Sequence, residues 1–178
     1  QPAGLRQALF VSQTAVAMSP NDAALIGRLA VLEQASGNLP GAARAAERAL
    51  ELLPNDAEGW SQSGLILARQ RQFADAAAAF QRAVALDAQD VAARENLAQS
   101  LAALGRREEA RREFSRVLAK RPRLGLAWLH FGQLEEQAGR KEKAAECYQK
   151  ALAHPGANLG GLIELAGFCQ SRGWFEAA

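Results

Sequence analysis

The sequence predicts an all-α solenoid of antiparallel helix hairpins, on three observations. The first is an echo: Trp60-Ser61-Gln62-Ser63-Gly64 returns in outline as Trp128-Leu129-His130-Phe131-Gly132, two periods of 34 residues later. Pro20, Pro54 and Pro122 fall in the same phase. A unit of that length holds one helical hairpin, which buries its apolar faces only when neighbours stack on it. The second is composition. Hydrophobic residues make up 49% of the 178 and aromatics only 6%, and much of the apolar content is alanine, the strongest helix former. Sparse β-branched and aromatic residues argue against an extensive sheet. The third is a small-to-large seam. Ala42, Ala76, Ala110 and Ala144 recur at the period, and four residues after each come Ala46, Phe80, Phe114 and Tyr148, one turn onward on the same face.

The elements follow in order along a single solenoid, residues 1–178. Residues 5–18 carry the apolar spacing of a second helix and form a half-repeat. It ends at Ser19-Pro20-Asn21-Asp22, a junction of the same kind as Leu53-Pro54-Asn55-Asp56. Full repeats are expected over 23–56, 57–90, 91–124 and 125–158. Each has a first helix, a turn and a second helix. The turns are marked by Gly37, Arg71, Gly105 and Gly139. Glycine enters the left-handed conformation beyond a helix end without a Cβ clash, so the Gln70-Arg71-Gln72 turn should be less relaxed or differently shaped. Rings of the middle repeats fill space left by alanines, and Ala46 in the first repeat makes a thinner seam. Residues 159–178 form an incomplete repeat: one first helix, then Gly173-Trp174-Phe175 opening its partner. A self-contained solenoid needs a polar outer face at its end, so the sequence reads as a fragment of a longer array, the alternative being a frayed native terminus.

With Trp60, Gly64, Ala76, Phe80, Ala83 and Pro122 in phase, and Trp128, Gly132, Gly139, Ala144, Tyr148 and Ala151 carrying the pattern again, the chain resembles the tetratricopeptide-repeat family. The resemblance covers essentially its whole length. Ala88 replaces the usual junction proline in one repeat, and Pro155 comes one place early in another. The resemblance implies a right-handed αα superhelix whose first helices line a concave groove, and a role in binding extended peptides or assembling complexes. It implies no catalysis. The chain departs from the cluster of Lys, Arg and two Asn with which some members hold acidic C-terminal peptides. Asn96 is the one asparagine in the groove column, and Leu65, Ala92 and Leu126 stand where that cluster needs polar or basic help. Nor is there the asparagine ladder of repeats attached to O-linked N-acetylglucosamine transferases.

In the inferred phase, Arg28, Gln62, Asn96, His130 and Glu164 form one polar column in an alanine-rich background. Gln99 and Gln133 lie three residues beyond Asn96 and His130, on roughly the same faces. Their amides can donate to and accept from a peptide backbone. Arg28 can orient a carboxylate, and Glu164 favours a basic group. The alternative for this column is a solvated stripe with no specific ligand. A second charged surface is expected on the second helix of the third repeat, from Arg107, Arg111, Arg112, Arg116 and Lys120. Glu108, Glu109 and Glu113 interrupt it, and Glu108–Arg112 is spaced for local pairing, so a salt-laced outer face is expected rather than a docking patch.

Other chemistries find little support. A net charge of +2 is too small to imply nucleic-acid or membrane binding, and no aromatics interleave with the cations for base stacking. No apolar run is long enough for a transmembrane helix. Cys147 and Cys169 lack a C-x-x-C spacing or companion ligands and read as structural thiols, so no metal or cofactor is expected. His130 near Glu135 and Glu136, and His154 beside Pro155, are explained by ordinary helical polarity. No H-E-x-x-H, G-x-S-x-G or Walker loop occurs. The expectation is a non-catalytic interaction or scaffold module that holds an extended peptide or partner segment in its groove, with further repeats of the intact chain as neighbours. The alternative is a structural spacer that positions an attached catalytic or membrane-associated domain.

Overall fold

The structure, a computed structural model, describes residues 3–154. The regular elements among them are α1 (Ala3–Met18), α2 (Ala23–Ser36), α3 (Leu39–Leu52), α4 (Ala57–Arg69), α5 (Phe73–Leu86), α6 (Val91–Ala103), α7 (Arg107–Lys120), α8 (Gly125–Gln137) and α9 (Lys141–Ala153). The fold is an all-α repeat solenoid of stacked helix hairpins. Helices α2, α4, α6 and α8 start 34 residues apart, so the period of the sequence is a period of structure. Glu164, Cys169, Trp174, Phe175 and the whole of 159–178 lie outside the described residues.

Local chemistry sets the helix starts. Asp22 accepts from the backbone N–H of Ala24 and Leu25 at 3.0 and 3.1 Å, Asp56 from Glu58 at 3.1 Å, and Asp90 from Ala93 at 2.9 Å. Each such cap contributes about 1 kcal/mol by satisfying a donor that the helix leaves open. Leu124 occupies the same place before α8 and makes no side-chain cap.

The turns share one geometry. Asn38, Gln72, Arg106 and Arg140 each donate their N–H to the carbonyl five residues back, at 2.9 Å in every case. This pattern needs a left-handed residue at the turn, supplied by Gly37, Gly105 and Gly139 at φ 87°, 74° and 77°. Arg71 does the same at φ 62°. The glycine-free turn is therefore not reshaped; its arginine is held in a conformation that crowds its Cβ. Left-handed geometry costs a side-chain-bearing residue about 1–2 kcal/mol, and glycine's larger unfolded-state entropy returns part of that. Arg71→Gly should accordingly raise stability by about 0.5–1 kcal/mol. Thermal melting checks this, and an unchanged or lower midpoint would mean that arginine is at ease there.

A further regularity sits at the junctions. Trp60 Nε1 donates to the Pro54 carbonyl at 2.9 Å, and Trp128 Nε1 to that of Pro122 at 2.8 Å. Where alanine replaces proline, Arg94 Nη2 reaches the Ala88 carbonyl at 3.2 Å, from the position equivalent to Trp60. Pro20 receives its donor from one helix further on, Arg48 Nη2 of α3, at 2.6 Å. The Trp-and-Pro echo is thus one hydrogen bond that holds the link against the following helix.

The chain divides into two compact units, Gln1–Ser100 and Leu101–Ala178. In the first, α1 packs on α2, α2 pairs with α3, α3 packs on α4, and α4 pairs with α5. In the second, α7 packs on α8 and α8 pairs with α9. The small-to-large seam is buried throughout: Ala42, Ala76, Ala110 and Ala144, and Ala46, Phe80, Phe114 and Tyr148. Gly64 makes room for its ring, since a Cβ there would lie 2.7 Å from Phe80 Cε1. A Cβ on Gly132 would overlap the ring of Tyr148. The glycine position holds Ala30 in the first repeat, clustered with Ala42, Ala46 and Ile66 where no ring has to fit, and Ala98 in the third, where a buried methyl and the buried Phe114 ring are accommodated in one repeat.

Candidate functional site

The polar column occupies one helical register. Arg28 on α2, Gln62 on α4, Asn96 on α6 and His130 on α8 each lie five residues after the first of their helix. Arg28 is exposed and the other three are half-buried. In the first unit, Arg28 and Gln62 come together on one cleft of about 320 Å³. Glu58 adds a carboxylate to its lining, and Ala30, Val31 and Leu53 give it apolar walls. The small side chains along this stretch keep the cleft open to a main chain. It offers a guanidinium, an amide and a carboxylate over an apolar floor, a mixture suited to a peptide.

Asn96 and Gln99 lie outside the lining of that cleft, three residues apart on α6, and both are half-buried. The backbone carbonyl of Asn96 accepts from Ser100 Oγ at 2.8 Å, a bond that does not use the Asn96 carboxamide. In the second unit, His130 and Gln133 share α8 and are half-buried. The His130 ring lies against Phe114, centroids 6.5 Å apart and tilted by 34°, so part of its surface is given to packing. Glu164 lies outside the described residues.

One buried electrostatic arrangement among the described residues was not foreseen from the sequence. Glu135 on α8 is fully buried and bonds to Arg140 Nε, with Arg111 Nε of α7 at 3.0 Å. Glu108 lies between the two arginines, 3.6 Å from Arg111 and 3.5 Å from Arg140. Glu108 therefore pairs with Arg111 and Arg140, across the turn of a helix and between helices, and not with Arg112 as its spacing suggested. The bond to Glu135 is the main cause that raises the Arg140 pKa, against desolvation. One sequence signal was available: Glu135 occupies the register of Leu67 and Leu101, where a charge requires a partner. Glu33 shares that register. It is buried, and its two oxygens accept from Gln13 Nε2 at 3.1 Å and Asn38 Nδ2 at 2.8 Å.

These bonds bear on the acid–base pairs considered above. Glu135 is committed to two arginines, and Glu136 accepts the Tyr148 hydroxyl at 2.8 Å. Burial, with Glu135 next in importance, pushes the Cys147 thiol up to about 11. A thiol that keeps its proton at neutral pH is a poor nucleophile and a poor metal ligand. Among the described residues, no group of three or more His, Cys, Asp or Glu could hold a metal ion, and no helix is long and apolar enough to cross a membrane.

A family model described as tetratricopeptide repeat matches residues 28–91 and 95–158. No curated protein sequence gives a match. Among solved structures, the crystal structure of MamA superposes with a TM-score of 0.80 at 20% identity, covering 84% of this chain and 88% of that one. The 41-end fragment of MamA from Desulfovibrio magneticus RS-1 gives a TM-score of 0.81 at 18% identity, over 85% of each chain. YrrB, described as a TPR protein with an unusual peptide-binding site, gives 0.77 at 24% identity, covering 90% of this chain and 83% of that one. At these identities the likeness is one of fold.

Proposed function

Since the chain belongs to the tetratricopeptide-repeat family, we propose that it is a non-catalytic interaction module holding an extended peptide, or an extended segment of a partner protein, on its first-helix face. The observation that carries this reading is the α2–α4 cleft, where Arg28 and Gln62 line one opening beside Glu58. The guanidinium fork takes a carboxylate in bidentate fashion, and the amide both donates to and accepts from a peptide unit. Asn96 with Gln99 on α6, and His130 with Gln133 on α8, offer similar chemistry within their own units. Glu164 would favour a basic residue of the ligand. The peptide-binding site ascribed to YrrB lends support by fold alone.

Single hydrogen bonds of this kind contribute about 0.5–1.5 kcal/mol, so selectivity has to come from several acting together. The test starts from the natural partner, captured with the whole chain as bait and identified by mass spectrometry. Gln62→Ala combined with Asn96→Ala should weaken its binding by about tenfold or more, while circular dichroism stays helical. Undiminished binding by the double variant would remove the first-helix face from consideration. Failure of the whole chain to capture any partner would favour a spacer that positions an attached domain.

A further inference from the structure

We propose that the α7–α9 face of the second unit is a docking surface for an acidic segment of a partner protein, seated between the two helices. A cleft of about 390 Å³ opens there, lined by Arg111, Arg112, Ser115 and Arg116 of α7, Phe131 of α8 and Lys143 of α9, with Glu108 as the one acid. The cations divide into two kinds. Arg111 is balanced by an ion pair with Glu135 at 3.0 Å, and Arg116 by a hydrogen-bonded pair with Glu113 at 2.6 Å. Arg112 and Lys143 make no ion pair or hydrogen bond among the described residues. Glu109 lies within electrostatic reach of Arg112, but its carboxylate is already bonded to Arg106 at 2.7 and 2.8 Å. The surplus positive charge therefore sits on two side chains from different helices, facing one cleft.

The floor is equally specific. Phe131 is 7% exposed and is held by Phe114 and Trp128, with ring centroids 5.9 and 6.4 Å away. A chain that presents carboxylates to Arg112 and Lys143 and an apolar side chain to Phe131 meets each group with its complement. A polyphosphate fits less well. Glu108 lies in the lining, the net charge of the chain is only +2, and no open aromatic face is offered for base stacking. The surface also differs from the one expected from sequence: Arg107 and Lys120 lie outside the cleft lining, and Lys143 comes in from the next hairpin.

Fluorescence anisotropy of a labelled peptide of alternating glutamate and leucine, titrated with the whole protein, tests the proposal. The parent should bind saturably, and more weakly as salt is raised. Arg112→Glu with Lys143→Glu should weaken binding at least about tenfold with unchanged circular dichroism, and Arg112→Gln with Lys143→Gln should fall between. The Gln62→Ala, Asn96→Ala variant should bind this peptide as the parent does, which separates the surface from the first-helix face. Absence of saturable binding, or equal binding by the charge-reversed variant, overturns the proposal. Equal competition by single-stranded DNA or inorganic phosphate also overturns it, because the surface would then be a general anion site.

Discussion

Glu135→Ala is expected to destabilise the second unit by about 3–5 kcal/mol, the usual loss when one partner of a buried ion pair is removed. Glu135 is fully buried between Arg111 and Arg140, whose side chains are 33% and 35% exposed. Without the carboxylate, the two guanidinium groups face each other with only Glu108, 66% exposed, to balance them. Arg140 Nη2 is already without a hydrogen-bond partner among the described residues, so little remains to take up the freed donors. Amide hydrogen exchange reads the effect locally. Protection should fall along α8 and α9 and stay near the parent level along α2 and α3. Glu135→Gln keeps the shape and loses the charge, and should lie between parent and alanine. Uniform loss of protection in both units, or none, would show that the pair does not anchor the α7–α8–α9 packing.

Phe80→Ala should cost about 3–5 kcal/mol, because a fully buried ring leaves a cavity that the surrounding helices fill only in part. Its neighbour supplies a second test. Gly64→Ala gains about 1 kcal/mol of helix propensity but places a Cβ 2.7 Å from the ring, an overpacking of about 1–3 kcal/mol. The net should be destabilising. Combining Gly64→Ala with Phe80→Leu should cost less than the sum of the two separate changes, since the smaller side chain vacates the place the methyl needs. Chemical denaturation measures all of these variants, Phe80→Leu alone included, and strict additivity would mean that Gly64 and Phe80 do not share one packing space.

Features that recur within each hairpin were the legible ones. The alanine-to-ring seam repeats because every hairpin has the same space to fill, and the junctions ending at Asp22 and Asp56 mark where α2 and α4 begin. The Arg71 turn was half legible. Missing glycine signalled strain, but the spacing could not say that the hydrogen bond from Gln72 would keep the standard geometry. For the candidate site, repeat phase gives the face on which Arg28, Gln62, Asn96 and His130 lie, since register depends on the helix alone. It does not give what a neighbouring helix brings to that face. Phe114 reaching His130, Arg111 and Arg140 closing on Glu135, and Lys143 joining the arginines of α7 are all contacts between elements. Side-chain length and helix packing decide them, and a periodic pattern is silent about both.

The junction hydrogen bonds have an optical consequence. Among the described residues, each compact unit carries one indole clamped to a proline carbonyl, Trp60 in the first and Trp128 in the second. With Trp174 replaced by phenylalanine, a chain that keeps only one of these would emit from a single known place. Releasing the clamp exposes the indole to water and moves its emission to the red, so each variant becomes a dye for the opening of its own unit. The two dyes should also differ in colour while folded, because the Lys150 ammonium sits 4.3 Å above the Trp128 ring. A pair of denaturation curves at the two positions would then time the loss of each half of the molecule separately, with no label attached.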